Sequence, residues 1–542
     1  MAARLLVPLT LALAAGAAVA VLPDVSPVPA TRRLPPLPRH WERGAFMEIF
    51  VRAYADSDGD GIGDLRGLTQ RLDHLKDLGV TGLWLMPVSA SADRDHGYAT
   101  TDHRALEPDY GTLADFDELL RQARRRGIGV IVDYVLNHAA AEHPWFVEAR
   151  RDPASPWRRW FVWSQQAPAG WDIWGKNPWY AASAEPWAFR GDLATLQPAP
   201  GDPLGYYFGT FGPNMPDFDL RHPPVVDYHR HSLQFWLNRG IGGFRLDAVP
   251  HLVENDASAW NDQPESRALT RRFVEQIRRH PGRHVVCEAT AKPQDWGDPA
   301  LCGGAFAFGH VHHFVKAAKG EAASVQALAE YYLHARPTMA TFVSNHDRFA
   351  GERLWDQVQG DERRYRLAAA AYLLQPGTPF IYYGEEIGQA GVPGLPGDQP
   401  LRAPMSWSAE PRGAGFTRGT PFRPLAPNHA THNVQAQRAD AGSILNFYRA
   451  LLKLRNGRAS VRRGSYEHAF ADGLVLGFQR RLGHERTLVL INYGTDAAEV
   501  RPPGLARGTR LRRLHAWPGT PGSVHAPRLT LPPQSVQVFD LP

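Results

Sequence analysis

The sequence predicts an α/β fold: a (β/α)8 TIM barrel, with a subdomain inserted after the third strand and an antiparallel β domain at the C-terminal end. Three observations predict it. Four apolar runs, spread over most of the chain, each end in a carboxylate or an imidazole: Asp133-Tyr134-Val135-Leu136-Asn137-His138, Gly243-Phe244-Arg245-Leu246-Asp247-Ala248, Val285-Val286-Cys287-Glu288-Ala289 and Phe342-Val343-Ser344-Asn345-His346-Asp347. Such a run reads as a strand buried on both faces, and parallel barrels gather their chemistry at the carboxyl ends of these strands. The Trp-, Pro- and Gly-rich stretch from Ala139 to about Gly212 is too long for a structureless loop and reads as a small subdomain over the site. Beyond Arg463 the apolar residues alternate, as in Leu474-Val475-Leu476-Gly477-Phe478 and Thr487-Leu488-Val489-Leu490-Ile491, the period of a half-buried antiparallel sheet.

Taken in order, Phe46 to Val51 reads as the first strand and Gly82 to Pro87 as the second, with the amphipathic Leu68 to Leu78 as the helix between them. Ile128 to Val135 is the third, Gly242 to Leu246 the fourth and His284 to Cys287 the fifth. The sixth falls within Gly304 to His310. Met339 to Ser344 and Thr378 to Tyr382 complete the barrel, and Ile444 to Arg455 reads as its last helix.

Ahead of the barrel, Arg4 precedes an apolar run from Leu5 to Val19, and Ala18-Val19-Ala20 offers small residues for cleavage, so export to the periplasm or medium is expected. An uncleaved anchor is the alternative, because the run is near the lower limit for a spanning helix. Pro23 to Pro38 is Pro-rich and reads as an extended linker. The chain thus divides into a signal peptide (1–20), a linker (21–40), a first barrel part (41–138), the subdomain (139–212), a second barrel part (213–460) and the β domain (461–542). Only Cys287 and Cys302 are present, and a bond between them is not expected, because one lies in a barrel strand.

With 542 residues, 43% hydrophobic and 21% charged, the chain is long and apolar enough for a large core and is not disordered. Its formal charge of +5 comes from Arg interleaved with Asp and Glu. That argues against a nucleic-acid partner. Neither stable membrane insertion after signal cleavage nor oligomerisation is expected. Trp and Tyr in loops suit stacking on sugar faces.

In order and in residue content, the four polar-tipped strands resemble the α-amylase family of glycoside hydrolases, and the resemblance extends from Phe46 to the C-terminus. It implies that Asp247 is the nucleophile, Glu288 the acid/base and Asp347 a third carboxylate that orients sugar hydroxyls. His138 and His346 match histidines that bond the sugar. Asp95 and Tyr98, in Asp95-His96-Gly97-Tyr98, match an aspartate and a stacking tyrosine of the nonreducing-side sugar, although Ala99 follows where many relatives carry Asp. The residues support this chemistry independently. Acetal cleavage needs two carboxyl groups in different protonation states. Arg245 is two residues from Asp247, on the same strand face, and would keep it ionised. Glu288 follows an apolar run, whose poor solvation raises a carboxyl pKa.

Asp56-Ser57-Asp58-Gly59-Asp60-Gly61-Ile62-Gly63-Asp64 places oxygen ligands at alternate positions, which suits a hard cation. The EF-hand's closing glutamate is missing, since Gly67 stands there. The segment instead resembles the calcium loop of the oligoglucosidase-like branch, implying Ca2+ held by Asp56, Asp58, Asp60, Asp64 and the Ile62 carbonyl. Asn137, Asp217 and His251 match a second calcium site of typical amylases.

Asn214-Met215-Pro216-Asp217-Phe218-Asp219 lies between the oligoglucosidase and neopullulanase-like patterns. Ala248 matches relatives that cut α-1,4 rather than α-1,6 bonds. Hydrolysis of α-1,4 bonds in maltooligosaccharides or starch is the expected activity. The alternatives are glucanotransferase- or trehalose synthase-type transfer, and a non-catalytic sugar-binding role, against which stand all three carboxylates.

Overall fold

The structure, a computed structural model, describes residues 22–31, 34–184, 201–519 and 522–542. The expected signal segment, 1–20, lies outside the described residues. Eight strands, all parallel, form the central sheet: β1 (Ala45–Ile49), β2 (Val80–Leu85), β3 (Gly129–Tyr134), β4 (Gly243–Leu246), β5 (His284–Cys287), β6 (Ala305–Phe306), β7 (Met339–Ala340) and β8 (Phe380–Tyr382). Their spatial order is β7-β6-β5-β4-β3-β2-β1-β8. Thr341 closes the barrel, because its N–H bonds to Thr378 O at 3.0 Å and its carbonyl accepts from Phe380 N at 2.7 Å.

Aromatic rings fill the barrel. Phe46 stacks on Phe380 at 4.8 Å, and Phe306 packs on both Phe380 (5.0 Å) and Trp84 (5.3 Å). Gly82 is required beside this layer, since a Cβ there would meet the Phe46 ring at 2.6 Å. β1 ends at Ile49, two residues before the expected limit, because Val51–Tyr54 turns into a short helix. The helix expected over Leu68 to Leu78 is two pieces, Leu65–Gln70 and Leu72–Leu78. It starts early because the Asp64 side chain caps it by accepting from Gly67 N at 2.7 Å. It breaks at Arg71, whose N–H reaches back to Leu68 O and whose guanidinium sits 4.3 Å from the Trp407 ring.

Between β3 and β4 the chain forms a subdomain with the helix Pro144–Arg151 and a three-stranded sheet of Trp163–Ser164, Tyr206–Phe208 and Trp179–Ala181. Phe218 bridges to Phe161, so residues 213–219 pair with this subdomain. At the other end, Ser465–Asp472, Val475–Leu482, Glu485–Asn492, Ser535–Leu541, Arg510–Trp517 and Ser523–His525 make a six-stranded antiparallel sheet. Val489 and Ile491 belong to the core shared with the barrel, whereas Leu488 and Leu490 face a smaller core of the β domain itself. That is the alternation read from the sequence.

The Pro-rich segment is extended but does not hang free. Asn238 donates to Pro29 O at 2.9 Å and accepts from Thr31 N at 3.0 Å, and Arg104 donates to Ser26 O at 2.8 Å. No helix among the described residues is long and apolar enough to cross a membrane.

One expectation is corrected. Cys287 and Cys302 are bonded, with their Cα atoms 6.1 Å apart. Successive strand side chains alternate, and Glu288 lines a cavity at the carboxyl ends of the strands. Cys287 therefore points the other way, toward the helical layer, where the loop after the short helix Pro293–Trp296 brings Cys302 to meet it.

Candidate active site

At the carboxyl ends of the strands lies a cavity of about 520 Å³ lined by Tyr98, His138, Asp247, Ala248, Glu288, Asp347 and Arg402, with Trp174 and Phe211 from the subdomain. Four strand ends thereby converge on one space, as barrel geometry requires.

Arg245 is its hub. The guanidinium is 1% exposed; one terminal nitrogen contacts Asp247 and lies 2.8 Å from Asp133, while the other lies 2.8 Å from Glu288. Asp133 pairs with Arg245 across the β3–β4 ladder, which puts both side chains in register. Asp133 also accepts from Trp84 Nε1 at 3.2 Å and from the Tyr98 hydroxyl at 2.8 Å. Glu288 accepts from Ala248 N at 3.1 Å.

Burial raises Asp247 and Glu288. Asp247 is pushed up to about 6, against the opposing effect of Arg245. Glu288 is pushed up to about 7, with Asp247 and Asp347 adding to the burial effect. Arg245, two residues away on the same strand face, opposes the burial of Asp247 without cancelling it.

His346 is the second hub. Its Nδ1 lies 2.6 Å from Glu48 and its Nε2 3.0 Å from Asp347 and 2.7 Å from the Tyr98 hydroxyl. Burial opposes its charge, but Asp347 and Glu48 outweigh burial and raise it to about 10. Desolvation likewise raises Asp347, but the His346 cation outweighs it and holds the carboxyl well below its ordinary range. Tyr98 stacks on the His346 ring at 5.3 Å. Asp95 is pinned from two sides, by Arg402 at 3.0 Å and Arg423 at 2.9 Å. Arg402 also lies 3.6 Å from Asp347. His138 is buried with neither ring nitrogen hydrogen-bonded, and its ring packs 5.2 Å from Phe211.

The structure thus brings Asp247, Glu288, Asp347, Tyr98, His138, Arg245 and His346 together, with Asp95 joined to them through Arg402. Sequence reading missed Glu48, Asp133, Arg402, Arg423 and Trp174. Glu48 had a signal, as the lone carboxylate of an apolar strand. Arg402 and Arg423 lie in the long segment after β8 and had none.

Of the expected cation ligands, Asp56, Asp58 and Asp64 place carboxylate oxygens within 4.8 Å of one another, while Asp60 lies outside this group and instead accepts from Ile62 N at 2.8 Å. All three also brace the loop: Asp56 accepts from Gly59 N at 2.7 Å, Asp58 from Asp60 N at 3.2 Å and Asp64 from Ser57 N at 2.7 Å. Of the residues matched to a second cation site, Asn137 and Asp217 lie side by side and are buried. Asp217 gives its oxygens to Thr210, at 3.1 and 2.6 Å. The His251 ring lies flat on Trp260, 5.5 Å away, and lines the sugar cavity.

The profile of the alpha amylase catalytic domain matches residues 48–464. A trehalose synthase/amylase of Mycolicibacterium smegmatis is 32% identical over 507 residues, 84% of this chain and 83% of its own. A trehalose-6-phosphate hydrolase of Escherichia coli is 30% identical over 549 residues, 89% of this chain and 95% of its own. Among solved structures, an α-amylase from H. orenii superposes with a TM-score of 0.77 at 29% identity, covering 92% of this chain and 100% of that one. The strand-end carboxylates, the cavity they enclose and these matches agree: the chain belongs to the α-amylase family and is one of its glycoside hydrolases.

Proposed function

We propose that the chain is an exported, retaining α-glucosidase-type enzyme that cleaves α-1,4 bonds in maltooligosaccharides or short starch fragments. The observation that carries this reading is the pair Asp247 and Glu288, held by the two ends of one guanidinium in a cavity of about 520 Å³. Asp247 attacks the anomeric carbon while Glu288 protonates the departing oxygen; Glu288 then takes a proton from water, whose oxygen displaces Asp247. Asp347, His346, His138, Asp95 and Tyr98 hold the hydroxyls and face of the glucosyl ring. A cavity of this volume suits a short oligosaccharide.

Ala248 supports the α-1,4 preference, because a missing methyl or two beside the nucleophile shifts discrimination by about 1–3 kcal/mol. The specificity constant for maltotriose is expected to exceed that for isomaltose by roughly tenfold or more, and Ala248→Val to narrow the ratio. Equal or better use of isomaltose would reassign the enzyme to α-1,6 bonds. Proton NMR should show the α anomer of the product first; β product would exclude retention. The second reading, transfer to another sugar, is favoured by the similarity to trehalose synthase/amylases. Trehalose formed from maltose in the same NMR series would select it.

The reaction needs Asp247 ionised and Glu288 protonated. Activity should therefore fall as pH drops below about 6 and again as it rises above about 7. A kcat/KM profile flat from pH 5 to about 9 would contradict these roles.

Asp56, Asp58 and Asp64 would hold Ca2+, with Asp60 and the Ile62 carbonyl as the further expected ligands. The ion would neutralise converging carboxylates in the loop after β1 and supply stability rather than chemistry. Exhaustive chelation should lower the melting temperature before it lowers room-temperature activity, since an ion at a hundred times its Kd adds about 2.7 kcal/mol. Unchanged melting, with no calcium by elemental analysis, would reduce the loop to a turn. Export is supported by the apolar run after Arg4 and by the pairing of both cysteines, which suits an oxidising compartment. N-terminal sequencing of protein recovered outside the cytoplasm tests it.

A further inference from the structure

Trp174 is held at the mouth of the sugar cavity by a backbone that disfavours it. Ile173 and Lys176 exchange two hydrogen bonds, at 2.8 and 3.1 Å, leaving Trp174 and Gly175 as a two-residue hairpin loop. Both have positive φ, 52° and 80°. That is the pattern of a type I′ turn, where Asn-Gly or Asp-Gly is strongly preferred. A bulky residue at positive φ is an outlier, and such outliers concentrate where function demands them. Burial does not explain this one, because the indole is 58% exposed.

The ring is nevertheless fixed. Ile173, 1% exposed, anchors the hairpin in the subdomain core. The indole packs edgewise on Trp260 and His251, each 5.5 Å away, and leans on Phe211 at 5.8 Å. Phe349 is equally exposed in the same cavity, but it sits in the 3-10 turn Arg348–Ala350 with an ordinary backbone. Of these two exposed rings, Trp174 is the one whose backbone carries a conformational penalty.

We infer that Trp174 is the platform for the sugar on the leaving side of the scissile bond, and for an acceptor sugar when one replaces water. This rests on the glucosidase reading above. Of the polar groups proposed to hold the glucosyl ring, Tyr98, Asp347 and Asp95 are tied to one another through His346 and Arg402, while His138 packs on Phe211. The neighbours of Trp174 come instead from the subdomain and from His251 and Trp260 beyond β4, and His251 N bonds to Ala248 O at 2.9 Å; none of these three rings belongs to that hydrogen-bonded set. An exposed indole face matches the apolar C–H face of a pyranose.

Trp174→Asn tests it, because asparagine is the residue the turn itself prefers. The KM for maltotriose should rise about tenfold, equivalent to about 1.4 kcal/mol. The kcat/KM for α-glucosyl fluoride, which has no leaving-side ring, should stay within about twofold. The unfolding midpoint should be unchanged or higher, and Trp174→Phe should restore most of the KM. An unchanged KM for maltotriose would overturn the assignment. So would equal losses on both substrates with a lowered midpoint, which would make Trp174 a structural residue. Wild-type enzyme inert toward the fluoride would instead overturn the glucosidase reading, and this inference with it.

Discussion

Asp247→Ala is expected to lower kcat by about four to six orders of magnitude, the range reached when a nucleophile or its activating partner is removed. The lost bond belongs to the transition state and the covalent intermediate, so maltotriose should still bind with nearly the wild-type Kd by calorimetry. The fold should survive, because Arg245 keeps Asp133 and Glu288 as partners. An Asp247→Ala enzyme within about tenfold of wild-type kcat would mean that another group attacks the sugar.

Arg245→Leu should be the most destabilising change in the site. It leaves Asp133, Asp247 and Glu288 without their shared cation. Breaking a buried ion pair by deleting one partner costs about 3–5 kcal/mol. The sign on catalysis follows from the same geometry. Arg245 opposes the burial that raises Asp247, so without it Asp247 ionises at higher pH and the acid limb of the activity profile moves upward. Arg245→Lys should recover little, since one ammonium cannot span two carboxylates as a guanidinium fork does. The urea midpoint and the pH profile of each variant test the pair of claims. A wild-type midpoint in Arg245→Leu, or an acid limb that stays in place, would show that the guanidinium is not the hub.

The corrected cysteine expectation has a physical cause. Cys287 was judged by its strand and not by which face of the strand it occupies. The His251 ring stacks on Trp260 and meets Trp174 in the cavity wall, surroundings that no local pattern shows. In each case, a local pattern identified the residue and a distant segment set its surroundings.

The sequence by itself determined the order of strands, the residues at their carboxyl ends and the alternation of the C-terminal sheet. Those depend on period and burial, which local patterns record directly. Only the tertiary structure decided that one arginine serves three carboxylates, that His346 lies between Glu48 and Asp347, and that Arg402 and Arg423 reach Asp95 from a segment without regular pattern. Electrostatics acts through space over a few ångströms, and residues that close can be 298 apart in the chain, as His346 and Glu48 are. A hydrophobic period carries no trace of such a neighbour, so the chemistry of each group could be named from the chain but its protonation state could not.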